Sequence, residues 1–434
     1  LWTNQLLLAM TDLTPGALAP LHNRDFRFLL AGFAIGQMLM PLQFITQILW
    51  VQSTAPNNIW LILVAFIATS RGLGGLAFGL YGGALADRFN RKHLLQLILG
   101  LQVLTTSAIA GFMYLNLNGF VGFGAFFILT FLSSGLQSID APTRLAIVPD
   151  VLGQRLTPSG ISLNQVSGQI AMPVAIMVTG IMIDQFGFSG AYGTTVIGYL
   201  LAMILIGMMR YAPSAQVQSQ QSQPYGLAQI KTDISVGLRY ARGEPVILWV
   251  IILLILLMSL GYPATASLGP TWVTTEVGVA IPRMGFVMMF WGIGSFIAAL
   301  MLARFANFVH RGALIAFGAL LFSLSFVIFV LGKNELNIMI GNFGLGAGMT
   351  TMMVSSTILI QHIAPSDMRG RIMSIFQLNM AFAQLMTMPI ALLAQWMGLA
   401  ALFPILSYLT VAMVVWVLLR QPQLIRATIR QTSG

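Results

Sequence analysis

The chain is a succession of long apolar runs cut by short polar breaks, without the ten-residue alternation a membrane β-barrel requires. A helix needs about 20 apolar residues to cross a bilayer. On that measure the runs predict twelve spans, at 27–50, 59–85, 94–115, 119–140, 161–184, 190–210, 246–269, 284–303, 312–332, 336–360, 372–397 and 399–419. One hydrophilic interruption is long, from about Tyr211 to Glu244. Its Ser214–Gln223 portion is low in complexity, while Leu227–Arg242 keeps helical spacing and is expected to lie along the membrane surface. This break falls at the midpoint. The organisation expected is a tail (1–26), a six-helix half (27–210), a linker (211–244), a second six-helix half (245–420) and a tail (421–434). Leu1–Met10 is apolar but lacks a basic leader or an Ala-x-Ala site, so it reads as a cytoplasmic tail and not a cleaved signal.

Composition turns these spans into a solvent argument. Of 434 residues, 57% are hydrophobic and 7% charged, with mean hydropathy +0.86. A soluble domain carries roughly 25% charged residues, so this chain has too little polar surface to face water. Open sheet cannot live in hydrocarbon. The fold class is therefore an all-α polytopic membrane protein, with 12 transmembrane helices in two pseudo-symmetric six-helix halves.

The net charge of +10 changes the picture only through its distribution. One set of alternate loops and tails collects 18 of the Lys and Arg residues, from Arg24 to Arg430. The other set has only Arg283 and Lys333, and Arg71 is left inside a span. The positive-inside rule puts both termini in the cytoplasm, with the protein in the plasma (inner) membrane. The basic excess is a topology signal, so no nucleic-acid partner is expected. There is no cysteine, and hence no thiol chemistry. Enzyme chemistry would need His/Asp or Ser/His groups clustered at one depth, and an ATP-driven pump would need a G-x(4)-G-K-[ST] loop. Neither pattern occurs, so no enzyme activity, metal or cofactor is expected. The expected partners are lipid, a small-molecule substrate and protons, with the chain acting as a monomer.

The two halves repeat. A shift of 216 residues superposes Pro149 on Pro365, Arg155 on Arg371 and Pro173 on Pro389, and sets Asp87-Arg88-Phe89 on Ala303-Arg304-Phe305. The first of these segments belongs to a dense polar knot between two spans, Gly83-Ala84-Leu85-Ala86-Asp87-Arg88-Phe89-Asn90-Arg91-Lys92. It follows the pattern G-x-L-x-D-R-x-G-R-R/K. Asn90 replaces the second glycine, and asparagine tolerates left-handed backbone better than most residues. With its repeat and this loop, the chain resembles the major facilitator superfamily over essentially its whole length. Arg24-Asp25-Phe26-Arg27 and Asp140-Ala141-Pro142-Thr143-Arg144 resemble the enterobactin-exporter-like branch, which is made of proton-driven exporters of siderophores and drugs.

The resemblance implies alternating access, with substrate bound between two rocking halves near mid-membrane. It also implies a gate built from Gly83, Asp87, Arg88, Arg91, Lys92, Asp140 and Arg144. In it Asp87 caps a helix of the other half, and Asp140, at the end of the fourth span, accepts a bond from Arg88 or Arg91. The bland alternative is that these are solvated loop charges. The fifth span keeps Pro173 of an exporter signature but has Met172 in place of glycine, which leaves the direction of transport open.

The residues themselves single out Arg71, the one base well inside a span. A charge there costs several kcal/mol unless it meets a partner or a wet cavity. It is either an anion, substrate or coupling contact, or it snorkels to the membrane surface. Polar side chains expected to point inwards are Gln43 and Gln47 at i,i+4 spacing, Gln137, Asn164, Gln165, Gln169, Tyr262, Asn342, Gln377 and Gln384. Each either contacts substrate or bridges helices. Met288, Met289, Met349, Met352 and Met353 either adapt to varied cargo or simply pack. No Asp or Glu sits at the centre of a span, so no coupling residue is identified. The sparse charge favours neutral, amphipathic or cationic organic cargo. The function expected is proton-coupled export of small drug- or siderophore-like molecules. The alternatives are uptake or facilitated diffusion of a metabolite and, from another class, a non-transporting membrane sensor.

Overall fold

A computed structural model describes residues 18–210, 227–304 and 308–428, with side chains described except at 80–88, 227–234, 366, 367, 370, 374, 377 and 378. The expected tail Leu1–Met10 and the Ser214–Gln223 segment lie outside the described residues. Among those described, ten helices are long and apolar enough to cross a membrane. One of them, Phe120–Gly207, runs for 88 residues and breaks at Gly153 (φ 70, ψ 166) and Gly187 (φ 66, ψ 179). A Cβ is barely tolerated in that region of backbone space, so each glycine ends one helix and begins the next. Among the described residues the helices thus supply twelve span-length segments, as the hydrophobic pattern predicts.

The first half comprises span one (Arg24–Thr54), span two (Trp60–Arg88), span three (Arg91–Tyr114) and spans four to six (120–152, 154–186 and 188–207). A surface helix follows at Leu227–Gly243, apolar on one face, which packs against span eleven where Gly237 meets Ile375 and Arg371. In the second half, span seven (Pro245–Tyr262) continues through a π-helical turn, Pro263–Ser267, into the short helix Gly269–Thr275. Spans eight to twelve are Ile281–Arg304, Arg311–Leu331, Glu335–Ile363, Ser366–Met397 and Leu399–Arg420. Gly398 (φ 82) joins spans eleven and twelve as Gly187 joins five and six, so the repeat extends to the joints.

One correction concerns the fourth span. It does not end at Asp140 but continues as helix to 152, so Asp140 and Arg144 are both intrahelical. The helix also outlasts its apolar segment because its polar end is held by tertiary contacts. Asn23 caps span one, accepting from the Phe26 amide at 3.1 Å, and donates to the Val151 carbonyl at 2.9 Å. The role read for Asn90 also changes. It has φ −57, outside left-handed space, and its side chain accepts from the Lys92 and His93 amides as the N-cap of span three. A cap satisfies backbone donors that no helical carbonyl reaches.

Span one touches the short helix Gly269–Thr275, and the halves meet mainly through two helix pairs, two with eleven and five with eight. A two-fold relating the halves exchanges these pairs, as the 216-residue repeat requires. The face carrying the ends of spans one and twelve is called the terminal face below. At the opposite face the halves are in tight contact. A Cβ on Gly180 would come within 2.5 Å of the Ile281 carbonyl, and one on Gly285 within 2.5 Å of the Ile176 carbonyl. A Cβ on Gly292 would strike Pro173 at 2.5 Å. Gln52 of span one donates to Thr274 at 3.2 Å, and Gln395 of span eleven to the Asn58 carbonyl at 2.7 Å. Both bonds cross between the halves at this face.

Candidate functional site

Loop chemistry comes first, because the sequence put the gate there. Gly83, Asp87 and Arg88 lie outside the residues whose side chains are described. Arg91 and Lys92 are described, and both bond to other spans of the first half. Arg91 donates to Asp150 at 2.7 Å and to the Ala146 carbonyl at 2.8 Å, on span four. Lys92 donates to the carbonyls of Gly207 and Met209, at 3.1 and 2.5 Å, where span six ends. A cation is favoured at a helix C-terminus, whose last carbonyls lack partners and carry partial negative charge. Both cations therefore fasten span three to its own half.

Asp140 forms its ion pair within its own helix. Its Oδ2 accepts from Arg144 Nε at 2.6 Å, one turn along the same helix. Arg144 is 2% exposed and Asp140 24%. Span one makes room for the guanidinium at Gly32, where a Cβ would stand 3.0 Å from Arg144 Nη1. Asp140 Oδ1 and Arg144 Nη1 are buried without a hydrogen-bond partner. The pair borders a cavity of about 160 Å³ between spans one, three, four and six, also lined by Gln37, Gln102, Gln137 and Tyr199. An ion pair with an unused acceptor beside a cavity is a place where water or a proton can be held.

Above this cavity a polar network crosses the first half. Gln43 Nε2 donates to Thr106 at 3.2 Å and Thr195 at 3.4 Å, while its Oε1 accepts from Gln137 at 3.0 Å and Tyr199 at 3.4 Å. Gln47, one turn on, donates to Tyr192 at 2.9 Å and Thr130 at 3.4 Å. Gln137 also donates to the Tyr199 hydroxyl at 3.2 Å. Gln102 and Ser133 exchange a further pair of bonds between spans three and four. Gln43 and Gln47 are fully buried and bridge helices in this state. The hydroxyls of Thr106, Thr130, Tyr192, Thr195 and Tyr199 were not anticipated from the sequence. Tyr192 and Tyr199 stand seven residues apart on one face of span six, and that spacing was the available signal.

Arg71 is the charged end of this network. It lies about eleven residues into span two, roughly 17 Å along the helix and so near mid-membrane. It does not snorkel. The residue is 4% exposed, with Nη2 donating to Gln137 Oε1 at 3.3 Å and the guanidinium 5.2 Å from the Phe44 ring. Ser134 donates to its carbonyl at 2.7 Å. Tyr192, Tyr199 and Tyr262 lie within electrostatic reach of it, the last from the other half. Tyr262 immediately precedes the π-helical turn of span seven and is hydrogen-bonded by Gln384. Gln384 in turn packs on span two, since a Cβ on Gly72 would sit 3.0 Å from its Cβ. Arg71, Tyr262 and Gln384 therefore come together at the seam between the halves.

The remaining candidates separate. Asn164 is buried with both amide atoms unpartnered, Gln165 is exposed, and Gln169 is half-buried. Asn342 donates to the Val287 carbonyl at 3.5 Å and so ties span ten to span eight. Gln377 lies outside the described side chains. Met288, Met349 and Met352 are buried in the apolar core, and Met289 and Met353 pack against it. Among the described residues no group of three or more His, Asp or Glu side chains is placed to hold a metal ion.

Fold and seam together define a transporter with its polar site between two six-helix halves. The family description Major Facilitator Superfamily matches residues 28–388, and the chain belongs to that family. Its length aligns with a staphyloferrin A transporter of Staphylococcus aureus at 20% identity, covering 83% of this chain and 87% of the relative. A hexose transporter of Saccharomyces cerevisiae is 31% identical, but over only 25% of this chain and 20% of its own length. Among solved structures, a nucleoside transporter matches with TM-score 0.73 at 13% identity, covering 92% of this chain and 99% of that one. A peptide transporter in complex with sulfate matches with TM-score 0.69 at 13% identity, covering 94% and 96%. These likenesses show the fold.

Proposed function

We propose that the protein exports small amphipathic organic molecules by proton-coupled alternating access, with its terminal face in the cytoplasm. The observation that carries the transport reading is the seam at Arg71, Tyr262 and Gln384, where polar groups from both halves converge at mid-depth. A buried cation inside a bundle is expensive and persists where substrates or ions pass. Closure at the opposite face by the Gly180–Gly285 contact leaves that end sealed in this state. Rocking the halves must break that contact and form another at the terminal face.

Coupling is assigned to Asp140, the carboxylate with an unused buried oxygen beside the cavity. Protonation there removes the charge that holds Arg144 and releases the guanidinium lodged against Gly32 of span one. The export direction leans on the resemblance of the Arg24–Arg27 and Asp140–Arg144 segments and on the full-length match to a siderophore transporter. The membrane is proposed to be the plasma membrane, on the asymmetry of Lys and Arg.

A second reading, uncoupled passage of a neutral metabolite, is favoured by the match to the yeast hexose transporter. Everted vesicles separate the two. With the interior acidified, vesicles containing the protein are expected to accumulate members of a panel of labelled amphipathic compounds several-fold above control vesicles. A protonophore should abolish the difference. Accumulation that ignores the gradient would leave the uncoupled reading standing.

A further inference from the structure

We infer that the cargo carries a carboxylate, and that Arg71 is the residue that receives it. The inference deepens the proposed function and rests on reading the seam as the substrate site. Its observation is an electrostatic imbalance. Among the described residues no carboxylate forms an ion pair with Arg71. Its neighbours among the described residues are all neutral: one amide oxygen at 3.3 Å, one aromatic face and three nearby tyrosines. The guanidinium has five N–H donors, and a single long bond to Gln137 uses one of them. A stacked aromatic ring offsets part of a buried cation's desolvation but supplies no hydrogen-bond acceptor.

The chemistry missing from this arrangement is a planar anion with two acceptor oxygens. A carboxylate matches the guanidinium fork and forms two parallel charge-assisted bonds. Tyr192 and Tyr262 add hydroxyls that can donate to the same anion. One comes from each half, so binding an anion here contacts both bodies that must move. The low overall charge of the chain made neutral or cationic cargo the expectation. At the seam itself the local field is positive, and a cationic cargo meets repulsion from a charge that cannot move to water.

The test uses the purified full chain in nanodiscs and reads melting temperature. The probes are acetate, benzoate, succinate and citrate, each paired with its neutral amide, with sodium chloride and inorganic phosphate as anion controls. At least one carboxylate is expected to raise the melting temperature in a saturable way, with its amide inert. Arg71→Met should weaken that carboxylate at least tenfold, while Arg71→Lys keeps part of the binding. Without probe, Arg71→Met should melt no lower than the wild type, because the charge it removes is uncompensated.

Any of the following overturns the inference: no carboxylate stabilises, amides stabilise equally, chloride or phosphate reproduces the shift, or Arg71→Met keeps the carboxylate response. A marked loss of stability in unliganded Arg71→Met also overturns it, because Arg71 would then be a structural bridge. Failure here leaves gradient-driven transport in vesicles intact. Failure of the transport reading instead removes accumulation for every compound, whatever its charge.

Discussion

Gly285→Leu is expected to lower the transport rate at least tenfold while leaving a folded protein. A Cβ at this position would lie 2.5 Å from the Ile176 carbonyl and 2.6 Å from the Met177 carbonyl, both backbone atoms of span five. No rotamer relieves contacts to backbone, so spans five and eight must separate at the opposite face. Overpacking of this kind costs about 1–3 kcal/mol. Each 1.4 kcal/mol moves an equilibrium tenfold, so the state closed at that face loses about one to two orders of magnitude in population. The fold is expected to survive because the proposed alternative state parts these helices. Gly180→Leu, which meets the Ile281 carbonyl from the other side, should behave alike. Initial rates in proteoliposomes, with size-exclusion profiles as the folding control, check both variants, and wild-type rates would remove the contact from the mechanism.

The second large effect is on stability. Asp140→Leu leaves Arg144, 2% exposed, as a buried cation without its ion-pair partner. Breaking a buried pair from one side costs roughly 3–5 kcal/mol. Asp140 is a quarter exposed, so the lower end, about 3 kcal/mol, is expected. The double variant Asp140→Leu/Arg144→Leu should recover most of the loss, because two apolar residues of adequate volume need no partner. Thermal unfolding in detergent of the two single variants and the double variant closes the cycle. Additive losses would mean that the pair is not a unit. Transport by the double variant should lose its response to a pH gradient even as its stability returns.

These two cases show where sequence was legible and where it was not. The twelve spans and the half-length repeat follow from hydrophobic runs, which membrane thickness makes unambiguous. The glutamine face of span one was legible from i,i+4 spacing, because an amide in hydrocarbon must turn inwards. The Asp140–Arg144 pair was present at the same spacing. It was not read as an ion pair because the apolar run ends near Asp140 while the helix continues to 152 on polar residues held by Asn23 and Arg91. Arg91 and Asp150 are 59 residues apart with no local pattern linking them. Such a bond depends on how spans three and four pack. The convergence of Arg71 with Tyr262 and Gln384 depends on how the two halves dock, which periodicity within a span cannot report. The tyrosines of span six went unremarked because a tyrosine in an apolar helix has an ordinary packing role until its hydroxyl partner is seen.

The central claim is that the two halves exchange between states closed at opposite faces. The chain has no cysteine, so Gln52→Cys and Thr274→Cys introduce a unique pair at the closed face. In the structure the native side chains of these residues hydrogen-bond at 3.2 Å across the halves. Spin labels there, read by double electron–electron resonance in nanodiscs, are predicted to show a short and a long distance, with populations that shift with pH and with carboxylate. A single short distance under every condition would contradict alternating access.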